Sequence, residues 1–131
     1  MCYYEHIRNY SYEDTMKDLL LQHQALSDET RLRLLLTLRE RSFCVCELTE
    51  LLEISQTNAS KHLTKLRDWG LVTTKRRERF IEYSLATDRP QLLHALVWIE
   101  QNIDLYPTLA NDLVRARTHE CVQCRPSYGT R

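Results

Sequence analysis

Ser55-Gln56-Thr57-Asn58-Ala59-Ser60-Lys61-His62-Leu63, continued by Leu66-Arg67-Asp68-Trp69-Gly70-Leu71-Val72, is the stretch that decides the fold. Ala59, Leu63 and Leu66 recur at helical spacing, which buries one stripe and leaves Thr57, Asn58, Lys61 and Lys65 on the opposite face. Ser55 suits an N-cap, because its hydroxyl can accept from an orphan amide one turn on. Gly70 after Trp69 suits a left-handed stop. The spacing therefore predicts a helix from Gln56 to Trp69. Immediately upstream, Leu48, Leu51 and Leu52 mark a shorter helix, with only Ile54-Ser55-Gln56 between the two. Two short helices joined so tightly read as helix-turn-helix, whose second helix enters the major groove of DNA.

Downstream, Leu71-Val72-Thr73-Thr74-Lys75 and Arg79-Phe80-Ile81-Glu82-Tyr83-Ser84-Leu85 are strand-like, with Ile81, Tyr83 and Leu85 expected to face inward. They form a hairpin, or wing, with Arg77-Glu78-Arg79 at its tip. Upstream, Ser27 or Asp28 caps a helix made apolar on most sides by Leu32, Leu34, Leu35, Leu36 and Leu38. Before it, Ser11 to Asp14 can cap a first helix with Met16, Leu19, Leu20 and Leu26 as its buried stripe. After the wing, Asp88 and Pro90 mark another helix start. Its stripe is Leu92, Leu96, Ile99 and Ile103, widened by Leu93, Val97 and Trp98. A helix apolar over so much of its girth calls for two partners, one of them a second subunit. A short helix around 109–115 follows Pro107. The fold class is thus mainly α with a small β-hairpin, a winged helix-turn-helix with a helical homodimer interface. A loose segment (1–10) precedes a single domain (11–116), and a tail with Cys121 and Cys124 (117–131) follows it.

The 131 residues carry no net charge, yet the charge is segregated. Residues 55–80 hold seven bases against two acids, whereas 1–54 hold ten acids against six bases. A basic stripe on the two elements expected to face DNA is an electrostatic footprint of phosphate binding. No apolar run approaches the ~20 residues of a membrane span, and the N-terminus has no apolar signal-peptide core. A cytoplasmic protein without membrane partner is expected. Five cysteines is an odd number, so ligand or redox roles outrank a disulfide framework. Cys121-x-x-Cys124 is the one redox-like motif. Without a thioredoxin-like context, a Ser-His-Asp set or a phosphate loop, neither an enzyme nor a small-molecule substrate is expected.

Three segments share a family pattern: Ala25-Leu26-Ser27-Asp28-Glu29-Thr30-Arg31-Leu32-Arg33, then Cys44-Val45-Cys46-Glu47-Leu48, then Ser55-Gln56 through Leu66-Arg67-Asp68-Trp69-Gly70-Leu71-Val72. Together they resemble the ArsR/SmtB family of winged-helix metalloregulators, over roughly 19–96. The resemblance implies a dimeric repressor on a palindromic operator that lets go when an ion binds. Cys-Val-Cys is similar to the branch that answers arsenite and antimonite, or cadmium and lead. By that resemblance Gln56, Thr57, Asn58, Ser60 and Lys61 approach base edges or the nearest phosphates, and Lys65 the backbone. Lys75, Arg77 and Arg79 follow phosphates or enter the minor groove. His62 is either a contact or a half-buried neighbour.

Cys44 and Cys46 are the expected ligands, since a helix start favours thiolates and soft sulfur selects soft ions. Residues two apart on a regular helix diverge, so both sulfurs can grip one ion only if the first turn stays extended or opens. Arsenite-responsive relatives often place a third cysteine where this chain has Thr49. Cys121, Cys124 or Cys2 could supply the missing sulfur, from the same subunit or across a dimer. Three thiolates suit As(III) or Sb(III), whereas four suit Cd(II), Pb(II) or Zn(II). Sensing of oxidants or organoarsenicals through the same thiols is the alternative. His94, Glu100 and Asp104 lack the spacing of a last-helix zinc site and read as a solvated face.

Overall fold

The computed structural model describes residues 12–119. Among the described residues six helices and three strands follow one another as α1 (Tyr12–Leu26), α2 (Glu29–Glu40), β1 (Phe43–Cys44), α3 (Val45–Leu52), α4 (Gln56–Asp68), β2 (Val72–Arg77), β3 (Phe80–Leu85), α5 (Pro90–Gln101) and α6 (Pro107–Thr118), with a 3-10 turn at Ile103–Leu105. The architecture is mainly helical with a small antiparallel sheet, the winged helix-turn-helix that the apolar spacing predicts.

α2 is the hub. Asp28 caps it by accepting from the Arg31 amide, and Leu34, Leu35, Leu36 and Leu38 are buried around its girth. They join Leu48, Leu51 and Leu52 of α3 and Ala59, Leu63 and Leu66 of α4 in one core. Ser55 caps α4 through the Asn58 amide at 3.0 Å. At the other end Leu71 N donates to Leu66 O and Gly70 N to Arg67 O, both 2.9 Å, a Schellman stop with Gly70 at φ +78. A Cβ there would also meet Arg89 Nη2 at 2.8 Å, which that flexible side chain can relieve, so it is the positive φ that favours glycine.

The sheet is ordered β1-β3-β2 and all pairs are antiparallel. Arg77 faces Phe80 in the register, so the wing tip is the two-residue loop Glu78-Arg79. Glu78 takes φ 57 there, the positive φ at the first central residue that hairpin turns of the II′ kind need. Tyr83 is buried, Leu85 packs on the core edge and Ile81 is exposed. The expected inward set therefore holds at the base of the wing only, because Ile81 lies beyond the reach of the helices. β1 is an addition to the expected hairpin.

Three further readings change. Among the described side chains of α1 the buried ones are Gln22 and Ala25, while Met16 and Leu20 are exposed. Asp88 does not start α5: Arg89 occupies the N-cap position without a side-chain bond, and the Gln22 carboxamide oxygen accepts from the Leu92 amide at 2.7 Å instead. Finally, α6 is a full twelve-residue helix running two residues past 116, and Leu109, Asp112, Leu113 and Ala116 bury it against α2. Arg33 of α2 meets Asp112 of α6 through two bonds of 2.8 and 2.9 Å and donates to Leu52 O at 3.1 Å. Arg115 of α6 donates to Leu51 O at 3.0 Å. The last carbonyls of α3 are thus held by two arginines from the scaffold.

Candidate nucleic-acid interface and thiol site

Three of the four buried residues of α4 (Ala59, Leu63 and Leu66) pack into the core, which turns Gln56, Thr57, Lys61, Thr64 and Lys65 outward and leaves Asn58 and Ser60 half-exposed. Gln56, Thr57, Ser60, Lys61 and Thr64 line one shallow concavity of about 610 Å³. On the wing Lys75, Arg77 and Arg79 are exposed, and Arg77 Nη1 stands 3.6 Å from Glu82 Oε1. The expected DNA residues are all at the surface. Lys65 differs from the others, since its ammonium lies 5.6 Å from the centroid of Trp69, which Arg31 covers at 5.5 Å.

His62 turns inward. Its Nε2 stands 3.7 Å from Asp28 Oδ2 and its Nδ1 3.5 Å from Arg31 Nη1, which makes it a neighbour of the α2 cap and not a groove contact. Burial pushes its imidazole below the usual 6.5, opposed by the Asp28 carboxylate and assisted by the Arg31, Lys61 and Lys65 cations. The folded protein then binds this proton less readily than the unfolded chain. Its contribution is complete above about pH 6.5 and is lost as the pH falls below that value. Urea unfolding is expected to show lower stability at about pH 5.5 than at pH 7, with a shallower dependence in His62→Gln. An equal slope in that variant would assign the effect elsewhere.

The thiol pair is built by the junction of strand and helix. Cys44 is extended at φ −88, ψ 167, closing β1 opposite Glu82 of β3, and it is also the N-cap of α3. Cys46 sits in the first turn of that helix. The extended residue removes the divergence that a regular helix would impose, and the two sulfurs stand 3.0 Å apart, in contact. Glu47 Oε1 accepts from the Cys44 amide at 3.0 Å, which pins the turn. Cys44 is 5% exposed, Cys46 is half-buried, and both Cys46 and Phe80 of the wing pack against Cys44. Two metal–sulfur bonds of about 2.3 Å at ordinary angles hold their sulfurs roughly 3.3–3.8 Å apart. The pair would have to part by less than about 1 Å to chelate.

Thr49 spends its hydroxyl on Cys46 O at 2.9 Å. Cys2, Cys121 and Cys124 lie outside the described residues, so no third ligand is placed beside the pair. Among the described residues there is no group of three His, Cys, Asp or Glu side chains that could hold an ion. Glu100 is committed to ion pairs with Arg39 and with Arg117, the latter at 3.2 Å, and His94 is exposed beside the α1–α5 concavity. Sequence reasoning missed Phe80 and Glu82 as neighbours of the thiols. The signal lay in β1, whose pairing places Cys44 on their strand.

The family model described as "Bacterial regulatory protein, arsR family" matches residues 28–74. The chain is 41% identical over 75 residues to the arsenic resistance transcriptional regulator ArsR1 of Pseudomonas putida, a match over 56% of this chain and 59% of that relative. It spans less than two thirds of that relative's length. It is 34% identical over 93 residues to the arsenical resistance operon repressor of Staphylococcus xylosus, covering 70% of this chain and 83% of that protein. Among solved structures, HlyU from Vibrio cholerae superposes with a TM-score of 0.60 at 30% identity, over 72% of this chain and 97% of that one. Matching helix order, wing and motif sequence together, the chain belongs to the ArsR family of bacterial regulatory proteins, winged-helix regulators of transcription and not enzymes.

Proposed function

We propose that this protein is a DNA-binding repressor of a metal or metalloid resistance operon, released from its operator when As(III) or Sb(III) is taken up by Cys44 and Cys46 with a further sulfur. The observation that carries the reading is the contact of the two sulfurs at 3.0 Å, on an extended residue and a helix start that both favour chelation. The names of the relatives, arsenic and arsenical resistance regulators, support the same ion class. The third sulfur comes from Cys121, Cys124 or Cys2.

The active form is a homodimer on a palindromic site. Leu26 of α1 and Trp98 and Ile99 of α5 line a concavity of about 410 Å³ between those helices, and Met16 and Leu20 of α1 are also exposed, apolar surface suited to a second copy. A two-fold axis there would set two α4 helices one turn of DNA apart. Gln56 or Asn58 can pair with adenine and the Thr57 methyl can touch thymine, while Lys61, Lys65, Lys75, Arg77 and Arg79 neutralise phosphates. Chelation then works against DNA binding because it draws Cys44 and Cys46 into a new spacing at the start of α3, the helix on which α4 packs. A ligand shifts the equilibrium only through its preference for one of the two states.

The test is mobility of operator DNA with reduced protein, titrated with arsenite, antimonite, cadmium and zinc. Cys44→Ser and Cys46→Ser should each raise the arsenite concentration for half-release by about 10²-fold or more, since each deletes one arm of a chelate. DNA binding without arsenite should be retained. Release of both variants at the wild-type dose would overturn the assignment. The sulfur contact also favours a second reading, in which oxidants join the two thiols. It predicts that peroxide releases DNA at doses where arsenite does nothing.

A further inference from the structure

We infer that the thiol pair acts on the wing as well as on the recognition helix, and that Phe80 is the residue that positions the wing against it. The inference rests on the proposed thiol sensing and deepens it. Cys44 is a strand residue: it pairs with Glu82, the residue that also faces Lys75 in the register. Directly opposed residues of antiparallel strands project to the same face, so Cys44, Glu82 and Lys75 share one side of the sheet. Phe80 and Arg77, opposed to one another two positions along, are on that same side.

The contacts agree with this placement. Phe80 packs on Cys44, its ring centroid is 5.8 Å from the Arg79 guanidinium carbon, and Glu82 is 3.6 Å from Arg77. Three proposed phosphate contacts, Lys75, Arg77 and Arg79, are therefore each one residue removed from Cys44. Close-packed groups do not deform continuously, so parting the sulfurs toward the spacing of a chelate displaces the ring that rests on Cys44. The ring lies beside the two-residue tip of the hairpin and carries that displacement to the tip. Ion uptake then removes wing phosphate contacts while α4 shifts, and the two losses add.

The test compares wild type with Phe80→Ala and Phe80→Leu in arsenite binding, operator affinity without arsenite, and amide exchange over β2 and β3. Couplings of this kind change affinity about 5–150-fold. In Phe80→Ala that factor should fall to the share that α4 carries alone, with arsenite affinity and unliganded operator affinity within about threefold of wild type. Phe80→Leu, which keeps an apolar contact, should restore most of the factor. If alanine also disturbs unliganded binding, the leucine variant and the wild-type exchange data decide. Arsenite should change exchange of the wing amides in wild type and leave them unaltered in Phe80→Ala. A full coupling factor in both variants, or wild-type release of DNA without any change in wing exchange, overturns the role of Phe80 and leaves the thiol reading standing. No release of wild type by any thiophilic ion would instead overturn the thiol reading itself.

Discussion

Asp112→Ala is expected to cost about 3–5 kcal/mol of folding stability, because it strands a buried guanidinium. Asp112 is 2% exposed and receives both bonds from Arg33, whose own side chain is mostly buried between α2, α3 and α6. The carboxylate beside it holds the Arg33 guanidinium above its usual range. Removing the anion leaves the Leu52 carbonyl as the remaining hydrogen-bond acceptor among the described residues, with the Glu29 and Glu53 carboxylates acting from further off. For a domain of this size the loss corresponds to a fall in Tm of roughly 10–20 °C. The pair as a whole is a different matter, since two buried ions replaced together by apolar groups of similar volume are often neutral or stabilising. Arg33→Met with Asp112→Leu should therefore recover most of the loss. Urea unfolding of the three variants checks both statements. A cost below about 1 kcal/mol for Asp112→Ala would mean that Arg33 finds water instead.

The same pair explains why part of this molecule was legible in the sequence and part was not. α2, α3 and α4 bury residues three and four apart, so the apolar spacing of Leu48, Leu51, Leu52, Ala59, Leu63 and Leu66 reports their buried faces directly. Ser55 and Gly70 act on amides a few residues away, which makes caps readable too. Asp112 acts on a partner 79 residues distant, and Gln22 caps α5 from 70 residues away. Neither has a local signature. A charged residue amid Leu109, Leu113 and Ala116 reads as the solvated edge of a short helix, when in fact it is the anion that binds α6 to the scaffold.

The thiols divide in the same way. That Cys44 and Cys46 must avoid a regular helix to share an ion follows from residue geometry alone, and the structure meets the requirement by making Cys44 the end of a strand. The strand itself is two residues long, too short for any periodicity to betray. Its pairing with β3 is what brings Phe80 to the sulfurs. The exposed Ile81 has the matching cause: alternation predicts which face a strand residue takes, but whether that face is covered depends on how far the hairpin projects beyond the helices.

Operator affinity is expected to fall about 10³–10⁵-fold between 50 and 200 mM salt, the loss for six to ten neutralised phosphates. The bases that would carry this are few and well separated: Lys61 and Lys65 on α4, and Lys75, Arg77 and Arg79 on the wing, all exposed. Each occurs twice in a dimer. Lys75→Ala should then make the slope of log affinity against log salt less negative by about two and weaken all sequences alike. Gln56→Ala should leave the slope unchanged and relax preference at one base position, at about 1–3 kcal/mol of discrimination. Lys65→Ala separates two roles of one side chain. If its ammonium serves phosphate, the slope changes as for Lys75; if it serves the Trp69 ring, stability falls slightly and the slope does not move. Fluorescence anisotropy of labelled operator across a salt series distinguishes these outcomes. An operator affinity that varies less than about tenfold over that range would exclude the basic stripe as a phosphate surface, whatever the thiols do.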